Sequence, residues 1–558
     1  MSNSSVKVTF LGGLGNIGRN CAAVEVDGQI MLIDCGIMFP EDTMPGVDKI
    51  LPDFSYLREN MGNVVGVVLS HGHEDHIGAL GYLLGEMPLK IIGSALSLGF
   101  AKNRIKEKGV IDQATFVEVK DNDRIKVGAF DLEFFPVTHS VPHGFATAFH
   151  TPQGVILHSG DFKIDTRPID GRITDLAGLG HLSKSEGVRL LLCDSTNAIS
   201  EGFSKSESLI GKSVRNIFKD VEGRRVIVAC FASHIHRVQQ IADAAIASGR
   251  TIITLGRSMK NNVELASELK LLNIPKNKLR DIEDIDNLAD GEICVISTGS
   301  QGEHMAALSR MARGDSRWIN IRKNDCIVFS SHPIPGNEVS VSRVMDGLAR
   351  RGAQVIHSAD TLVHTTGHAK AEELRVYHSV IRPEFFVPVH GEYRHMAGHA
   401  DLAKAMGMKD ENVLLCGDGN SVVLTDAGIE RGPNVPSDYI YMAGSVGTVD
   451  DSLLSERNVL GQDGFVSVVI SVDMQSDGHA VLAGDPEIFS RGWVSDELGE
   501  TIHEKAADKV RSDLVKELGK KKCLPKDLEK IARRSLGKFI NAETRRKPMV
   551  VPIILEVD

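Results

Sequence analysis

The sequence predicts an α/β protein assembled from several domains, and three patterns carry that prediction. Up to residue 204, apolar β-branched runs of strand length repeatedly end in His or Asp. From Lys205 to Ala359, short apolar strands alternate with amphipathic helical stretches, the pattern of a doubly wound parallel sheet. After a stretch rich in Gly, Pro, Ser and Asp comes a small α/β segment at 463–558. A chain of 558 residues exceeds what one core accommodates. The expected order is a first domain at 1–204, an insertion at 205–359, a return to the first domain at 360–432, a linker at 433–462 and the small C-terminal domain at 463–558.

Composition narrows the classes. A formal net charge of −11 excludes indiscriminate coating of nucleic acid and requires any polyanion site to be local. Eight cysteines form no Cys-x-x-Cys pair and lie mostly in or beside apolar runs, so they read as reduced core residues rather than a disulfide framework. With no leader before Val6 and no apolar run of spanning length, a cytoplasmic protein without membrane contact is expected.

Val6 to Leu11 forms the first strand, and Gly12 to Gly18 then contains a Gly-x-Gly-x-x-Gly. A dinucleotide fingerprint must open a helix, whereas here a hairpin follows, with strands at Ala22–Val26 and Ile30–Asp34 about an Asp27-Gly28 turn. Asp34, at its strand end, could orient a metal-ligating histidine or cap a turn.

Val64 to Leu69 is a buried-type strand, and Ile77 to Gly85 reads as a helix start. Between them, His71, His73, Glu74, Asp75 and His76 crowd three imidazoles and two carboxylates onto a strand-to-helix loop. There His71 and His73 can point one way and Asp75 and His76 another, which suits two adjacent ions; imidazole with carboxylate favours zinc or a similar ion. His139 and Asp161 follow later strand ends, supplying a third imidazole for one ion and a carboxylate able to bridge both. His143 and His158 compete for the place given to His139, which is favoured as nearest its strand end.

Arg189 to Asp194 is another strand with a terminal carboxylate. In the insertion, strands are expected at Val226–Ala229, Thr251–Leu255, Ile293–Ser297 and Cys326–Ser330, and the first, third and fourth end in turns of small hydroxyl and glycine residues. Ala232, Ser233 and His234 lead into a helix at 235–248, Ser300 into one at 303–313, and Ser331-His332 into a Pro-rich turn. Small residues at helix N-termini cradle phosphates, and His234, His236, Arg237 and Arg257 lie close by, so a phosphate site is expected in this domain. His364, Thr365, Thr366, Gly367 and His368 are expected to open a helix running to about Ile381, with His368 placed to meet a phosphate oxygen or protonate a leaving group. Phe385 to Val389 is a strand ending in His390, the natural last ligand of the second ion.

The order Asp34, His-x-His-x-Asp-His at 71–76, His139 and Asp161 resembles the metallo-β-lactamase superfamily. That resemblance implies an αββα sandwich with a two-zinc site at one edge of its sheets. Asp194, His368 and His390 are similar to the extra motifs of the β-CASP nucleases. Phe-Ala-Ser-His at 231–234, Thr-Gly-Ser-Gln-Gly at 298–302, Ser-His-Pro-Ile-Pro-Gly-Asn-Glu at 331–338 and Pro-Val-His-Gly-Glu-Tyr-Arg-His at 388–395 resemble the bacterial ribonuclease J family within that branch.

The resemblance implies one Zn2+ on His71, His73 and His139, a second on Asp75, His76 and His390, and Asp161 between them, with Mn2+ or Mg2+ as possible substitutes. Such a pair clamps the attacking and leaving oxygens of a phosphodiester. It further implies Asp75, Asp194 and His368 in catalysis, with Asp194 orienting His368. The implied activity is 5′-to-3′ exonuclease and endonuclease action on single-stranded RNA, favouring a 5′ monophosphate, in RNA maturation and decay. A small-molecule metallo-hydrolase of lactonase or β-lactamase type, and a non-catalytic RNA scaffold, are the rival readings. Between Glu504 and Lys547 fifteen Lys and Arg stand against seven Asp and Glu, which suits solvated helix faces equally with RNA or subunit contact. Family resemblance implies a homodimer or homotetramer through this domain and association with other RNA-decay proteins.

Overall fold

The computed structural model describes residues 5–41, 43–303, 306–334, 337–444, 447–476, 479–518 and 523–557. Two compact units emerge, Met1–Phe39 with Ile50–Tyr439, and Pro40–Lys49 with Ile440–Asp558.

In the larger unit two sheets pack face to face. The first has eight strands, in spatial order Gly428–Arg431, Ser421–Thr425, Val6–Gly12, Cys21–Val26, Gln29–Ile33, Val64–Val68, Leu89–Gly93 and Ala114–Glu118. The second has six, in order Phe385–Val389, Val188–Asp194, Gly154–His158, Gly144–Thr151, Phe130–Val137 and Arg124–Val127. Phe10, Val24 and Met31 of the first sheet meet Phe134, Phe149, Ile156 and Val387 of the second in one buried core. Alternate residues of the second sheet, such as Phe135 and Leu191, face outward onto Leu179, Leu374, Tyr377 and Leu402 of the helices Leu176–Ser185, Ala371–Ile381 and Tyr393–Ala405. Ala95–Glu107 covers the first sheet at Leu89–Gly93 and Ala114–Glu118. Both sheets draw strands from either side of the insertion, so strands from 385 onward complete a sandwich begun at residue 6. This is the αββα architecture, and the period-two alternation of each strand produces its layers.

The glycine-rich turn after the first strand opens no helix. Instead Leu14–Gly15 pairs in parallel with Gly391–Glu392, directly beside His390. Asp418 accepts from Leu14 N at 2.8 Å and from the wholly buried Arg19 at 2.6 Å, which fixes the turn against the sandwich.

The insertion is a six-stranded parallel sheet in order Leu279–Arg280, Thr251–Leu255, Ile293–Ser297, Val226–Ala229, Cys326–Phe329 and Gln354–Ile356. The strand ends Ser297, Ala229 and Phe329 are therefore neighbours, which brings the three expected cradles to one sheet edge, the edge where ligands of such sheets bind.

Two helices begin later than their patterns predict. The helix expected at 303–313 spans Ala307–Arg313, with residues 304–305 outside the described part, as are 335–336 of the Pro-rich turn. The helix expected from His364 begins at Ala371, because the Glu373 carboxylate takes Lys370 N at 3.0 Å and caps the chain there. His364 to His368 consequently form an extended loop, and His368 does not stand at a helix N-terminus.

Composition predicts a linker over 433–462, yet this stretch carries strands at Ile440–Ala443 and Gly447–Val449 and a helix at Asp451–Asp463, whose N-cap Asp450 accepts from Leu453 N at 2.7 Å. In the smaller unit Phe465–Met474 pairs with Ala480–Leu482, Met549–Val557 and Glu487–Arg491. Asp496–Leu518 and Pro525–Thr544 pack Val510, Leu514, Leu528 and Leu536 against that sheet. Residues 519–522 of the basic stretch lie outside the described part. Among the described residues no helix is long and apolar enough to cross a membrane, and all eight cysteines are buried.

Candidate metal centre

Five strand ends of the two sheets converge on one point. Val64–Val68 delivers His71 and His73, Phe130–Val137 delivers His139, Gly154–His158 delivers Asp161, Val188–Asp194 ends on Asp194 itself, and Phe385–Val389 delivers His390. The short helix Glu74–Ile77 turns Asp75 and His76 toward the same place. Close approach there leaves no room for side chains on Gly36, where a Cβ would lie 1.6 Å from the Asp75 carbonyl oxygen.

Asp161 is the centre. Its Oδ2 lies 3.0 Å from His390 Nε2, 3.2 Å from His76 Nε2, 3.6 Å from His71 Nε2 and 4.0 Å from His139 Nε2. Two donor groups share it: His71, His73 and His139 on one side, Asp75, His76 and His390 on the other. A third set, Asp161, Asp194 and His368, adjoins them. His143 and His158 belong to none of these sets; His158 Nδ1 instead accepts from Gly160 N at 3.2 Å.

Bonds behind the ligands fix which nitrogens carry protons. His139 Nδ1 must donate to the Gly367 carbonyl at 2.8 Å, so its Nε2 bears a lone pair. Asp34, held at φ 59°, takes Ser70 Oγ at 2.7 Å, which leaves that oxygen to accept from His71 Nδ1 at 3.1 Å. Asp34 also takes His76 Nδ1 at 2.7 Å. Hence Nε2 of His71 and His139 approach His73 Nδ1 at 2.9 and 3.2 Å as lone pairs, with at most one proton among the three nitrogens. Converging lone pairs repel unless a cation stands among them, so these donors fit a metal ion.

The electrostatics agree. Burial pushes His71 and His139 well below the ordinary imidazole range and His73 down to about 4, which keeps them neutral and able to ligate. Burial opposes the Asp161 carboxylate, but His390, His76 and His71 together hold it well below the usual range. His368 Nδ1 meets Asp194 Oδ2 at 2.8 Å, and although burial works against its charge, Asp194 raises it to about 9.

The expected phosphate-binding residues are placed less uniformly. Ala232 and Ser233 are half-buried at their strand end, and Ser300 is buried beside Gln301, whose side chain joins His332 O and Ile334 N at 2.9 and 2.7 Å. His234 is 1 % exposed, with Nε2 3.3 Å from Glu207 Oε1. Arg237, expected to favour phosphate, is unavailable: it is wholly buried and bonded to Glu207, Gln240, Ser330 and the Val363 carbonyl. His364 stacks on His332 at 6.4 Å, Thr365 Oγ1 donates to Lys205 O at 3.0 Å, and Thr366 Oγ1 accepts from Asn197 at 2.7 Å.

Three polar residues that shape the site carry no motif signal. Asn20 Nδ2 reaches Asp75 O at 3.0 Å and His76 Nε2 at 3.2 Å. Asn197 ties the loop preceding His368, and the wholly buried Glu373 gathers Ile164 N, Ser204 N and Lys370 N. Of the three only Asn197 follows a strand end that carries a site residue, Asp194, and that position is the single hint the sequence offers.

Four family descriptions match the chain: metallo-beta-lactamase superfamily at 14–190, ribonuclease J beta-CASP domain at 223–348, Zn-dependent metallo-hydrolase RNA specificity domain at 352–415, and ribonuclease J C-terminal domain at 452–557. The chain is 39 % identical to ribonuclease J of Mycolicibacterium smegmatis, over 100 % of this chain and 98 % of that one. It is 36 % identical to ribonuclease J 1 of Streptococcus pyogenes, over 100 % of both, and 34 % identical to ribonuclease J2 of Bacillus subtilis, over 100 % and 99 %. A crystal structure of a protein of unknown function from Enterococcus faecalis shares the fold at TM-score 0.52 and 15 % identity, over 75 % of this chain and 100 % of that one.

Proposed function

The chain belongs to the ribonuclease J family, and from that membership and the metal centre we propose a zinc-dependent ribonuclease that hydrolyses RNA phosphodiesters. We assign it 5′-to-3′ exonuclease action favouring 5′-monophosphorylated RNA, with endonuclease action besides, in RNA maturation and decay. Asp161 carries this reading, since one carboxylate oxygen faces four imidazole nitrogens drawn from two donor groups.

His71, His73 and His139 would hold one Zn2+ and Asp75, His76 and His390 a second, with Asp161 shared and Mn2+ or Mg2+ as substitutes. Zinc on such donors supplies Lewis acidity that lowers the pKa of water toward neutrality and polarises a phosphoryl oxygen. The protein contributes the proton. Asp194 binds His368 through Nδ1, which leaves the Nε2–H as the free donor for the 3′ oxygen leaving group. Its raised pKa keeps that proton in place at neutral pH. The remaining negative charge of the phosphodiester falls to the cradle side: Ala232, Ser233, His234 and Ser300, with His364, Thr365, Thr366 and Gly367 leading to His368, bind the RNA and its 5′ phosphate.

We further assign the domain order 1–204, 205–359, 360–432 and 463–558, a cytoplasmic location, and assembly as a homodimer or homotetramer through the C-terminal domain, with other RNA-decay proteins as partners. The test compares one RNA carrying a 5′ monophosphate or a 5′ triphosphate, with wild type and with Asp75→Ala/His76→Ala. Monophosphate-dependent release of mononucleotides that vanishes in the variant supports the reading. Turnover of a lactone or β-lactam without RNA cleavage would replace it with a small-molecule hydrolase.

A further inference from the structure

Behind the metal centre runs a buried polar chain that the proposed reaction does not use. His378 lies on Ala371–Ile381, the helix that begins three residues after His368. His399 lies on Tyr393–Ala405, which begins three residues after His390. Their Nε2 atoms meet at 3.1 Å, and His399 Nδ1 lies 3.0 Å from Ser195 Oγ. Ser195 directly follows Asp194 and is wholly buried, as is His399, while His378 is 5 % exposed. Both rings pack at 4.7 Å from Phe386, inside an apolar layer where leucine would be the less costly occupant.

One carbonyl orients the whole chain. Ser195 Oγ sits 3.2 Å from the Cys193 carbonyl, to which it can only donate. The hydroxyl oxygen then accepts from His399 Nδ1–H, and the bare His399 Nε2 accepts from His378 Nε2–H. Each bond of the chain then has one donor and one acceptor with both rings neutral, the state that their burial also favours. At the other end, Ser195 N donates to the His390 carbonyl at 3.2 Å. Ser195 therefore touches the backbone of two site residues, Asp194 by covalent linkage and His390 by this bond.

We propose that His399, backed by His378, is a positioning residue for the reaction: it holds Ser195 and thereby sets Asp194 and His390 in register, so that Asp194 presents His368 to the substrate. This rests on the ribonuclease reading. Removing support of this kind behind a site residue lowers turnover by about 10- to 100-fold.

The experiment measures kcat and KM for a 5′-monophosphorylated RNA, with metal content and Tm, on wild type, His399→Leu, His399→Asn and Ser195→Ala. In His399→Leu and Ser195→Ala, kcat is expected to fall by about tenfold or more, with KM within about twofold and metal content unchanged. His399→Asn keeps a donor for Ser195 Oγ, and its kcat should recover to within about threefold of wild type although the bond to His378 is gone. A purely structural role predicts lower Tm in all three with normal kcat per folded, metal-loaded molecule, and that result overturns the proposal. If His399→Leu fails to fold, Ser195→Ala, which removes one oxygen, decides by the same kcat criterion. No RNA cleavage by wild type would fail the ribonuclease reading, and this inference with it.

Discussion

Asp161 Oδ2 lies 3.0 Å from His390 Nε2 although 229 residues separate the two in sequence. The first half of the sandwich supplies the carboxylate and the half after the insertion supplies the imidazole, so the centre exists only when both are in place. Asp161→Asn keeps the shape and removes the charge that would offset a metal ion held there. Metal retained after dialysis, read by mass spectrometry, is expected to drop, and RNA hydrolysis to fall by about a hundredfold or more. Full metal content with undiminished activity would refute a shared ligand.

The Asp194–His368 pair gives a pH dependence. Asp194 holds the His368 pKa up at about 9, so the proton-donating form predominates below that pH and is lost as pH rises through it. Asp194→Asn removes the raising charge, and the alkaline limb of kcat is expected to move to lower pH, with kcat at pH 8 reduced by about 10- to 100-fold. A limb that stays in place in the variant assigns the proton to another group.

Glu207 makes a stability prediction in the insertion. Burial opposes its carboxylate, but Arg237 and His234 outweigh burial and hold it well below the usual range. A depressed folded-state pKa contributes stability above the unfolded value of about 4.3, and that stability is lost as pH falls through the folded value. Glu207→Gln leaves the buried Arg237 without its counter-charge, which should cost about 3 kcal/mol at pH 7. The variant and wild-type Tm curves should converge below pH 4; a constant gap down to pH 3 would contradict the ion pair as its source.

Much of this architecture is legible in the sequence because strand ends are local signals. An apolar run terminating in His or Asp marks both a layer of the sandwich and a residue at its edge, and His71, His139, Asp161 and His390 all follow that rule. What is not legible depends on chain segments meeting from afar. The start of the helix at Ala371 is set by Glu373, which takes Ile164 N and Ser204 N from segments more than 160 residues away, so the local pattern places it seven residues early. Arg237 reads as a phosphate ligand from its neighbours, and only the fold shows Glu207, Ser330 and Val363 closing around it. The helix-borne histidine pair, His378 with His399, sits on helical spacing indistinguishable from an ordinary core position.

Gly367 tests how closely the loop before His368 must approach the first donor group. Its carbonyl takes the His139 Nδ1 proton at 2.8 Å, and a Cβ there would lie 2.7 Å from His139 Cε1 and 2.8 Å from Nδ1. Neither partner can yield cheaply, because His139 is held between the loop and His73, and the loop is tied to Asn197 through Thr366. Gly367→Ala is therefore expected to push the imidazole from its place, weakening metal binding by about 10- to 100-fold in chelator competition and destabilising the protein by about 1–3 kcal/mol. Gly537→Ala is the matched control: it lies in the helix Pro525–Thr544, where a Cβ meets nothing within 4 Å, so helix propensity should make it neutral or stabilising by up to about 1 kcal/mol. Equal metal affinity in both variants would mean that the His139 position tolerates a shifted loop, and that the close approach of loop and imidazole does not require Gly367.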